Sequence, residues 1–367
     1  MLHYLLERYD HDCFSMDVVS LTELGPVGEA MRDAGIPTIA LGMNRARPNP
    51  AVVVQLAAHF RRRRTDVVQT WLYHGDLIGG LAGRLARRPT IWNIRQSDLV
   101  PRTTKLGTLL TARACAWLSR SVPAHIICCS EASRVVHREL GYDAEKMSVI
   151  GNGVDFDAFG PDQVAGSEVR AAAGIQPDVP VIGMVARFHP QKDHQTFIRA
   201  SAVLMLCHPN VHFVLCGEDI QPENTILSGW ISDLGVGDRF HLLGERDDVQ
   251  RVINAMTIAT LSSSYGEGFP NVLVEAMACG VPCVTTDIGD AAFIVGDAGT
   301  VVRPGDPVAL AAAWATILRL DDDRRAALGA TMRRRALRTF RLEDVIEHYQ
   351  RLYEKTASRG ETALAGH

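Results

Sequence analysis

The chain has 367 residues, 47% hydrophobic and 22% charged, a composition typical of a soluble globular protein large enough for two domains. Its net charge of -4 argues against a general nucleic-acid binder. No apolar run reaches the roughly 18–20 residues that span a bilayer, and the N-terminal "MLHYLLERYDHD" becomes charged too early for a signal peptide. The eight cysteines include no CxxC pair, so we expect a reduced cytoplasmic protein without a disulfide framework or structural zinc.

Short apolar runs alternate with amphipathic helical patterns along the chain, which is typical of α/β domains with parallel sheets. The first half predicts the strands "MDVVSL", "PTIAL", "DVVQTW", "TIWNI", "AHIICC" and "MSVI". The second half predicts "VIGMVA", "VHFVLCG", "RFHLLG", "TIATLS", "PCVTT" and "TVVRP". We therefore predict two similar α/β units.

The domain boundary is predicted near "VIGNGVDFDAFGPD", where a turn-forming Gly-Asn-Gly cluster follows a strand and precedes polar chain. This gives a first domain over 1–155 and a second over 156–341. A last amphipathic helix is predicted over 342–357, followed by a frayed tail.

The chain opens on a helical pattern, "MLHYLLERYD", although a doubly wound domain normally opens on a strand and a ligand-facing loop. Two explanations stay open. The helix is an N-terminal extension, or a strand and loop are missing before Met1.

Two polar segments of the first half follow predicted strands. In "QTWLYHGDLIGG", His74 lies just past a strand, where it either hydrogen-bonds a ligand or serves as a half-buried helix cap. "IWNIRQSDL" places Arg95 after the next strand, with no distinctive chemistry of its own.

Several basic runs and one amphipathic helix leave a membrane contact open. The runs "RRRR", "RLARR" and "RRR" are interpreted as solvated helix ends, with anionic lipid as the alternative. The helix "TKLGTLLTARACAWLSRS" mixes leucines and a tryptophan with cations. It could lie on a membrane, although a core-facing helix is commoner.

The segment "VARFHPQKDH" follows the first strand of the second unit. Arg187 could grip a diphosphate with a bidentate fork, and Lys192 could add a point charge. The alternative is a pair of exposed basic residues before a helix that is capped by Asp193. The residues alone favour neither.

The stretch "SSSYGEGFPNVLVEAMACG" reads as a loop between a buried strand and a helix. Glu267 precedes the helix and Glu275 lies in its second turn, where carboxylates accept hydrogen bonds from sugar or ribose hydroxyls. The amides of Gly268, Phe269 and Asn271 would face an anion at the helix N-terminus. Spacing alone favours the alternative, in which Glu267 is a dipole partner and Glu275 a surface residue.

Motifs of other enzyme classes are absent from the sequence. It contains no GxxxxGK[ST], no strand followed by GxGxxG, no HExxH and no GxSxG. This disfavours P-loop NTPases, nicotinamide dehydrogenases and the commonest hydrolases.

From about Met16 to Tyr353 the chain resembles glycosyltransferase family 4, the retaining nucleotide-sugar enzymes of the GT-B fold. "SSSYGEGFPNVLVEAMACGVPCVTT" resembles the E-x7-E signature of that family, "VARFHPQKDH" its diphosphate segment and "SVIGNGVDFDAF" its interdomain passage. "WLYHGDLIGGLAGRLA" is similar to the N-terminal half of members that act in polysaccharide assembly.

The resemblance implies two Rossmann-like domains facing a central cleft, with the last helix packed back on the first domain. Arg187 and Lys192 would bind the donor diphosphate, Glu267 the donor sugar and Glu275 the ribose, and His74 would reach the sugar from the other domain. Further donor contacts are assigned to Gly217, Gly266, Gly268, Phe269, Pro270 and Asn271.

The resemblance also implies partners and location. The co-substrate is a nucleotide-diphosphate sugar, with no metal and no other cofactor, and the acceptor is a glycan or a lipid-linked sugar. We expect a cytoplasmic protein, with possible peripheral contact with the membrane and no nucleic-acid partner.

Two departures from the family pattern qualify these expectations. The first strand and a glycine-rich loop are absent, which should leave apolar side chains and ladder groups of the first sheet unsatisfied. "GDAAFIVGD" differs from many relatives after its glycine. A non-catalytic nucleotide-binding or scaffold protein on the same fold is therefore the main alternative, and a nucleotide-sugar epimerase is a weaker one.

Overall fold

The computed structural model describes residues 1–44, 49–99 and 104–365. The chain divides into two compact units, each described by itself. Unit 1 comprises Met1–Gly153 with Glu343–His367, and unit 2 comprises Val154–Leu342. The predicted boundary after residue 155 lies two residues from this division.

Unit 1 is an α/β unit whose parallel strands are short. Its strands are β1 (Val18–Ser20), β2 (Thr38–Ala40), β3 (Val68–Gln69), β4 (Thr90–Ile94), β5 (His125–Cys128) and β6 (Met147–Val149). Its helices are α1 (Leu2–Arg8), α2 (Gly25–Asp33), α3 (Ala51–Arg63), α4 (Leu72–Ala86), α5 (Leu106–Leu118) and α6 (Glu131–Glu139).

The strands of unit 1 form two separate pieces. β1 pairs with β2, and β3 to β6 form a second sheet in chain order. Within the described residues no ladder hydrogen bond joins the two pieces. β1 and β2 are only partly buried, and Ile39 of β2 is 42% exposed, whereas β4 is buried along its whole length.

Unit 2 contains the other parallel strands. They are β7 (Val181–Val185), β8 (His212–Cys216), β9 (Phe240–Leu242), β10 (Ile258–Leu261), β11 (Cys283–Thr286) and β12 (Thr300–Val302). Its helices are α7 (Gln163–Ala172), α8 (His194–Met205), α9 (Thr225–Asp233), α10 (Val249–Asn254), α11 (Asn271–Ala278), α12 (Ala291–Val295), α13 (Pro307–Leu318) and α14 (Asp322–Thr339).

One continuous sheet in the order β12-β11-β10-β7-β8-β9 crosses unit 2. Renumbered within the unit and read from β9, this is the 3-2-1-4-5-6 order of a doubly wound domain. The order reverses between β7 and β10, which are hydrogen-bonded neighbours. Ligands of such sheets bind beyond the carboxyl ends of the strands at this point.

Helices cover both faces of this sheet because its strands are apolar on both sides. Val181 and Val214 face the core beneath α10, α11 and α14, whereas Ile182 and Phe213 face the core beneath α8 and α13. Strands buried on two faces read as continuous apolar runs. This explains why the sequence predicts every strand of the unit.

The last helix, α15 (Leu342–Ala365), packs within unit 1. Asn93 Nδ2 donates to the hydroxyl of the fully buried Tyr349 over 3.0 Å, and the Tyr349 ring stacks on Trp71. The helix continues past residue 357, where the sequence predicted its end. Its last turns consist mostly of good helix formers, which outweigh a single interior glycine.

Candidate active site

The loop after β7 carries the two predicted phosphate-binding cations. Arg187 is exposed and makes no hydrogen bond or ion pair with any described residue. Lys192 is partly buried, because the chain folds into a short 3-10 turn that ends at Asp193. Asp193 has a left-handed φ of 49° and caps α8, since its Oδ1 accepts from the Thr196 amide over 3.1 Å.

The loop after β10 places Glu267 against this cation. Lys192 Nζ donates to Glu267 Oε1 over 2.5 Å, and Ser263 Oγ donates to the same oxygen over 2.6 Å. Glu267 is 7% exposed, so its contact with Lys192 is largely shielded from water. Charge-assisted hydrogen bonds of this kind fix geometry. The structure therefore brings together two residues that lie far apart in the sequence.

Serines that the sequence analysis did not assign hold these two loops in register. Ser262 Oγ donates to the Lys192 carbonyl over 2.9 Å, and the Ser264 amide donates to the Gln191 carbonyl over 2.9 Å. Thr286 Oγ1 donates to the Ser263 carbonyl over 2.6 Å. A run of serines after a buried strand was the available signal, because hydroxyls there can satisfy loop carbonyls at the switch point.

Two glycines allow close backbone approach around these loops. A Cβ on Gly217 would lie 2.3 Å from the Ala186 carbonyl oxygen. A Cβ on Gly289 would lie 2.1 Å from the Glu267 carbonyl oxygen. Both have positive φ, at 146° and 60°. Gly217 was predicted at the site, and it supports the loop that carries Arg187. Gly289, which begins the atypical "GDAAFIVGD", was not assigned.

The start of α11 presents unused amides. The backbone N–H groups of Gly268 and Phe269 donate to no group among the described residues, and Pro270 at the N-cap has no N–H. Gly266 turns the chain here with a φ of 72°, and Asn271 opens the helix. Free amides at a helix N-terminus attract anions. This geometry suits a phosphate at the position predicted for the donor.

Glu275 lies in the second turn of α11 and is partly buried. No hydrogen bond or ion pair from a described residue reaches its carboxylate. Burial raises the pKa of Glu275 to about 7. A carboxylate in this state lacks stabilising donors, and ligand hydroxyls would supply them. The alternative of an ordinary surface glutamate does not fit this burial.

In unit 1, His74 lies within the first turn of α4, not before the helix as predicted. It is exposed and forms no cap, so the alternative of a half-buried capping histidine does not hold. Leu72, two residues earlier, has a φ of 68°. Strain of this kind in a residue other than glycine often accompanies a binding site. His74 belongs to unit 1, and the Lys192–Glu267 pair belongs to unit 2.

Arg95 at the end of β4 is a cation that the sequence analysis left unassigned. Its guanidinium lies 5.4 Å from the Trp71 ring centroid and bonds the Asn152 side-chain oxygen. Its buried Nη1 has no hydrogen-bond partner, and no ion pair with a described carboxylate neutralises it. The guanidinium therefore keeps an unsatisfied donor, although buried polar atoms ordinarily find a partner. Its position after a strand was the only signal in the sequence.

A buried carboxyl lies close to this region. Asp76 is fully buried, accepts from Thr70 Oγ1 over 2.5 Å and from the Asn93 amide over 3.3 Å, and leaves Oδ2 unpartnered. Burial raises the pKa of Asp76 to about 8. Asp76 is thus a buried polar group held by Thr70 and Asn93 within unit 1.

Across residues 1–44, 49–99 and 104–365, no group of three His, Cys, Asp or Glu side chains could hold a metal ion. In the same part of the chain, no helix combines the length and apolarity that a membrane span requires.

Two family descriptions match adjoining parts of the chain. Residues 167–335 match "Glycosyl transferases group 1", and residues 1–158 match "Glycosyltransferase Family 4". The first contains the Lys192–Glu267 pair and α11, and the second contains His74 and Arg95. Both halves of the chain thus match the same kind of enzyme.

Two named relatives agree with these matches. The chain is 25% identical over 285 residues to an Escherichia coli UDP-Gal:alpha-D-GlcNAc-diphosphoundecaprenol alpha-1,3-galactosyltransferase, covering 77% of this chain and 72% of that one. It is 34% identical over 186 residues to a D-inositol 3-phosphate glycosyltransferase of Mycolicibacterium gilvum, covering 48% of this chain and 39% of that one.

Solved structures show the fold. HepE of Anabaena in complex with UDP superposes with a TM-score of 0.80 at 22% identity, over 93% of this chain and all of that one. Sucrose-phosphate synthase of Thermosynechococcus elongatus superposes with a TM-score of 0.77 at 21% identity, over 98% of this chain and 92% of that one. These likenesses confirm the predicted GT-B fold. The matches to both halves confirm the family predicted from the sequence: the chain belongs to the family 4 glycosyltransferases.

Proposed function

We propose that this protein transfers a hexosyl unit from a nucleotide-diphosphate sugar to a glycan or lipid-linked acceptor in polysaccharide biosynthesis, with retention of configuration. The observation that carries the proposal is the Lys192–Glu267 contact of 2.5 Å beside the unused Gly268 and Phe269 amides. Cation, amides and carboxylate are the groups that a donor diphosphate and its sugar hydroxyls require.

Negative charge on the leaving diphosphate is the main obstacle to glycosyl transfer. Lys192, Arg187 and the α11 amides would stabilise that charge as it develops, and one such group contributes roughly 3–4 kcal/mol to lowering a barrier. The Lys192 ammonium has three donors, so it can keep Glu267 Oε1 and still bind a phosphate oxygen. We propose that no metal and no other cofactor is needed.

The bond changes balance without a covalent enzyme intermediate. The bond between C1 of the sugar and the phosphate oxygen breaks, and the acceptor oxygen bonds C1 on the same face. The acceptor proton passes to the departing phosphate. Glu267 would position sugar hydroxyls, Glu275 the ribose and His74 the sugar, so none of them is assigned as a nucleophile.

We assign the acceptor to unit 1. The E. coli relative is named for a diphosphoundecaprenol acceptor, and Arg95 offers an unneutralised guanidinium with a free donor. A phosphate of a lipid-linked acceptor would pair with the Arg95 charge and accept a hydrogen bond from its free donor. Such an acceptor also favours a cytoplasmic enzyme in peripheral contact with the membrane.

The test uses the purified chain, a panel of nucleotide sugars and a prenyl-diphosphate-linked sugar acceptor, in the presence of EDTA. We expect transfer from one hexosyl donor, with the anomeric configuration retained in the product by NMR. An inverted product would refute the mechanism, and loss of transfer in EDTA would refute metal independence.

A non-catalytic nucleotide-binding protein on the same fold is the second candidate. The divided sheet of unit 1, with its partly exposed first strands, favours it. Tight nucleotide binding with no transfer to any acceptor in the panel would select this alternative. Transfer at a rate that depends on Glu267 would exclude it.

A further inference from the structure

Helix α5 of unit 1 is buried on one side only. Ala112, Cys115 and Ala116 are buried in a core with Trp92 and residues of β5. These three small side chains lie on the inner face of the helix. Leu118 packs partly buried against the same core.

Three large apolar side chains of α5 face outward. Leu106 is 71% exposed, Leu110 is 55% exposed and Trp117 is 79% exposed. With the exposed Arg113 they recur at intervals of four, three and four residues, which places them on one helix face. We call Leu106, Leu110, Arg113 and Trp117 the α5 stripe. Single exposed apolar residues are ordinary, but a row of them on one helix marks an interaction surface.

The charged residues within the α5 segment have one sign, whereas Asp143, from a neighbouring turn, donates its amide to Ser119 Oγ at the end of the segment. Lys105, Arg113 and Arg120 are exposed along the helix, and the segment 104–121 contains no acidic residue. At the end of this segment, Arg84 of α4 bonds the Ser121 carbonyl and adds a fourth cation. A surface of this charge favours an anionic partner. A second copy of the chain would bring like charges together.

The pattern matches the interface of an anionic bilayer. Tryptophan is favoured at the boundary between headgroups and acyl chains, where its ring is apolar and its N–H is solvated. Leucines on the same face enter the acyl region, and flanking Lys and Arg reach lipid phosphates. The α5 stripe with its cations supplies these three properties on a single helix.

We propose that the α5 stripe docks this protein on a membrane surface that contains anionic phospholipid. Leu106, Leu110 and Trp117 enter the headgroup–acyl boundary, and Lys105, Arg113 and Arg120 contact lipid phosphates. This deepens the proposed function, on which it rests, by naming the surface that makes the membrane contact. The surface contains none of the residues assigned to donor or acceptor. An enzyme with a lipid-linked acceptor reaches its substrate through this surface.

The test is flotation of the full chain with vesicles of phosphatidylcholine and phosphatidylglycerol, and with vesicles of phosphatidylcholine alone. We expect binding to the anionic vesicles, weaker binding in high salt and little binding to the neutral ones. Leu110→Gln with Trp117→Gln should lower the partition coefficient at least about tenfold, and Arg113→Gln about fivefold.

Leu206→Gln is the matched control, because Leu206 is also a highly exposed leucine (84%) but belongs to unit 2. This variant should float like the wild type. Each variant should keep the wild-type unfolding midpoint and nucleotide affinity, so a failure here is distinct from a failure of the donor site. Three results would overturn the proposal: no flotation of the wild type, equal flotation of the double variant, or a dimer that the double variant dissociates while vesicles bind neither protein.

Discussion

The two units share a strand pattern but differ in how completely their sheets are built. In unit 2 a single six-stranded sheet has helices on both faces, and the loops after its neighbouring strands β7 and β10 meet at the switch point. In unit 1 the strands form a pair and a group of four, and the pair is partly exposed. A continuous sheet holds its loops rigidly, so unit 2 is the better scaffold for charge stabilisation.

The polar groups of the two units differ in the same way. In unit 2 the serines, Lys192 and Glu267 satisfy one another before any ligand arrives. In unit 1 the Arg95 guanidinium and the Asp76 carboxyl each keep an unpartnered atom. Unit 2 thus holds Lys192 and Glu267 in place before the charge on the donor develops, whereas Arg95 of unit 1 keeps an unpartnered donor.

Removing either member of the Lys192–Glu267 pair should have the largest effect. Lys192→Ala and Glu267→Gln should each lower kcat by at least about 10²-fold. The first variant loses a cation that stabilises charge on the leaving group, and the second loses the carboxylate that positions the sugar. Steady-state transfer assays check this. Glu168→Gln, which removes an exposed partner of Arg251, is the control and should leave the rate unchanged. Near-normal transfer by either test variant would contradict the assignment of catalysis to the Lys192–Glu267 pair of unit 2.

Gly289→Ala should lower transfer about 10²-fold by displacing the Glu267 loop. A Cβ there would lie 2.1 Å from the Glu267 carbonyl oxygen, and small displacements of reacting groups are costly. Gly305→Ala is the matched control, because Gly305 also has a positive φ, of 70°, but open space around it. Both variants carry the same backbone strain of about 1 kcal/mol. Equal activities of the two would show that the close approach does not position Glu267.

Arg95→Gln should raise KM for a lipid-linked diphosphate acceptor about tenfold and leave KM for the donor unchanged. The lost contact is a charge-assisted hydrogen bond in unit 1, so the donor site is unaffected. Initial rates with each substrate varied in turn provide the measurement. Arg63→Gln, at an exposed arginine paired with Asp17, should change neither constant. A raised donor KM in the Arg95 variant would break the assignment of donor and acceptor to different units.

The smallest effect concerns the pH dependence of donor binding. Burial raises the pKa of Glu275 to about 7, and ribose hydroxyls bind the ionised form, so donor affinity should rise about fivefold from pH 6 to pH 7. Titration calorimetry should show this rise in the wild type and a flat profile in Glu275→Gln. Asp76→Asn is the control and should keep the wild-type profile. A flat wild-type profile would exclude Glu275 from the donor site.

The Asp76→Asn substitution should also change how the free energy of unfolding depends on pH. A raised pKa in the folded state means that the folded protein keeps a proton that the unfolded chain has released, so the free energy of unfolding falls as pH rises. For Asp76 this fall lies between about pH 4 and pH 8. Urea unfolding of Asp76→Asn should lack that contribution.

The sequence predicted the strands of unit 2 well because physical signals coincide there. Strands buried on two faces read as apolar runs, and Pro270 and the Gly280 stop bracket α11. The contact between Lys192 and Glu267 was not visible in the sequence, because it depends on β7 lying beside β10. The serine contacts and the close approach at Gly289 depend on the same pairing.

The polar residues of unit 1 were harder to predict because their properties depend on how deeply the fold buries them. Asp76 reads as one acid within a helix, and only the fold shows that it is fully buried against Thr70. The sequence gives no sign that Arg95 is unusual, and only the structure shows that its Nη1 has no hydrogen-bond partner. The sequence shows that α5 mixes leucines and a tryptophan with cations, but it does not show that the α5 stripe faces outward.

The placement of the donor at the start of α11 is the central claim, and hydrogen exchange tests it most directly. The Gly268 and Phe269 amides have no acceptor among the described residues, so in the free protein they should exchange rapidly. Adding the nucleotide sugar should slow exchange in peptides covering 265–272 and 186–193 in the wild type, and much less in Lys192→Ala. Saturating donor that leaves these peptides unprotected, or that protects only peptides of unit 1, would contradict the account.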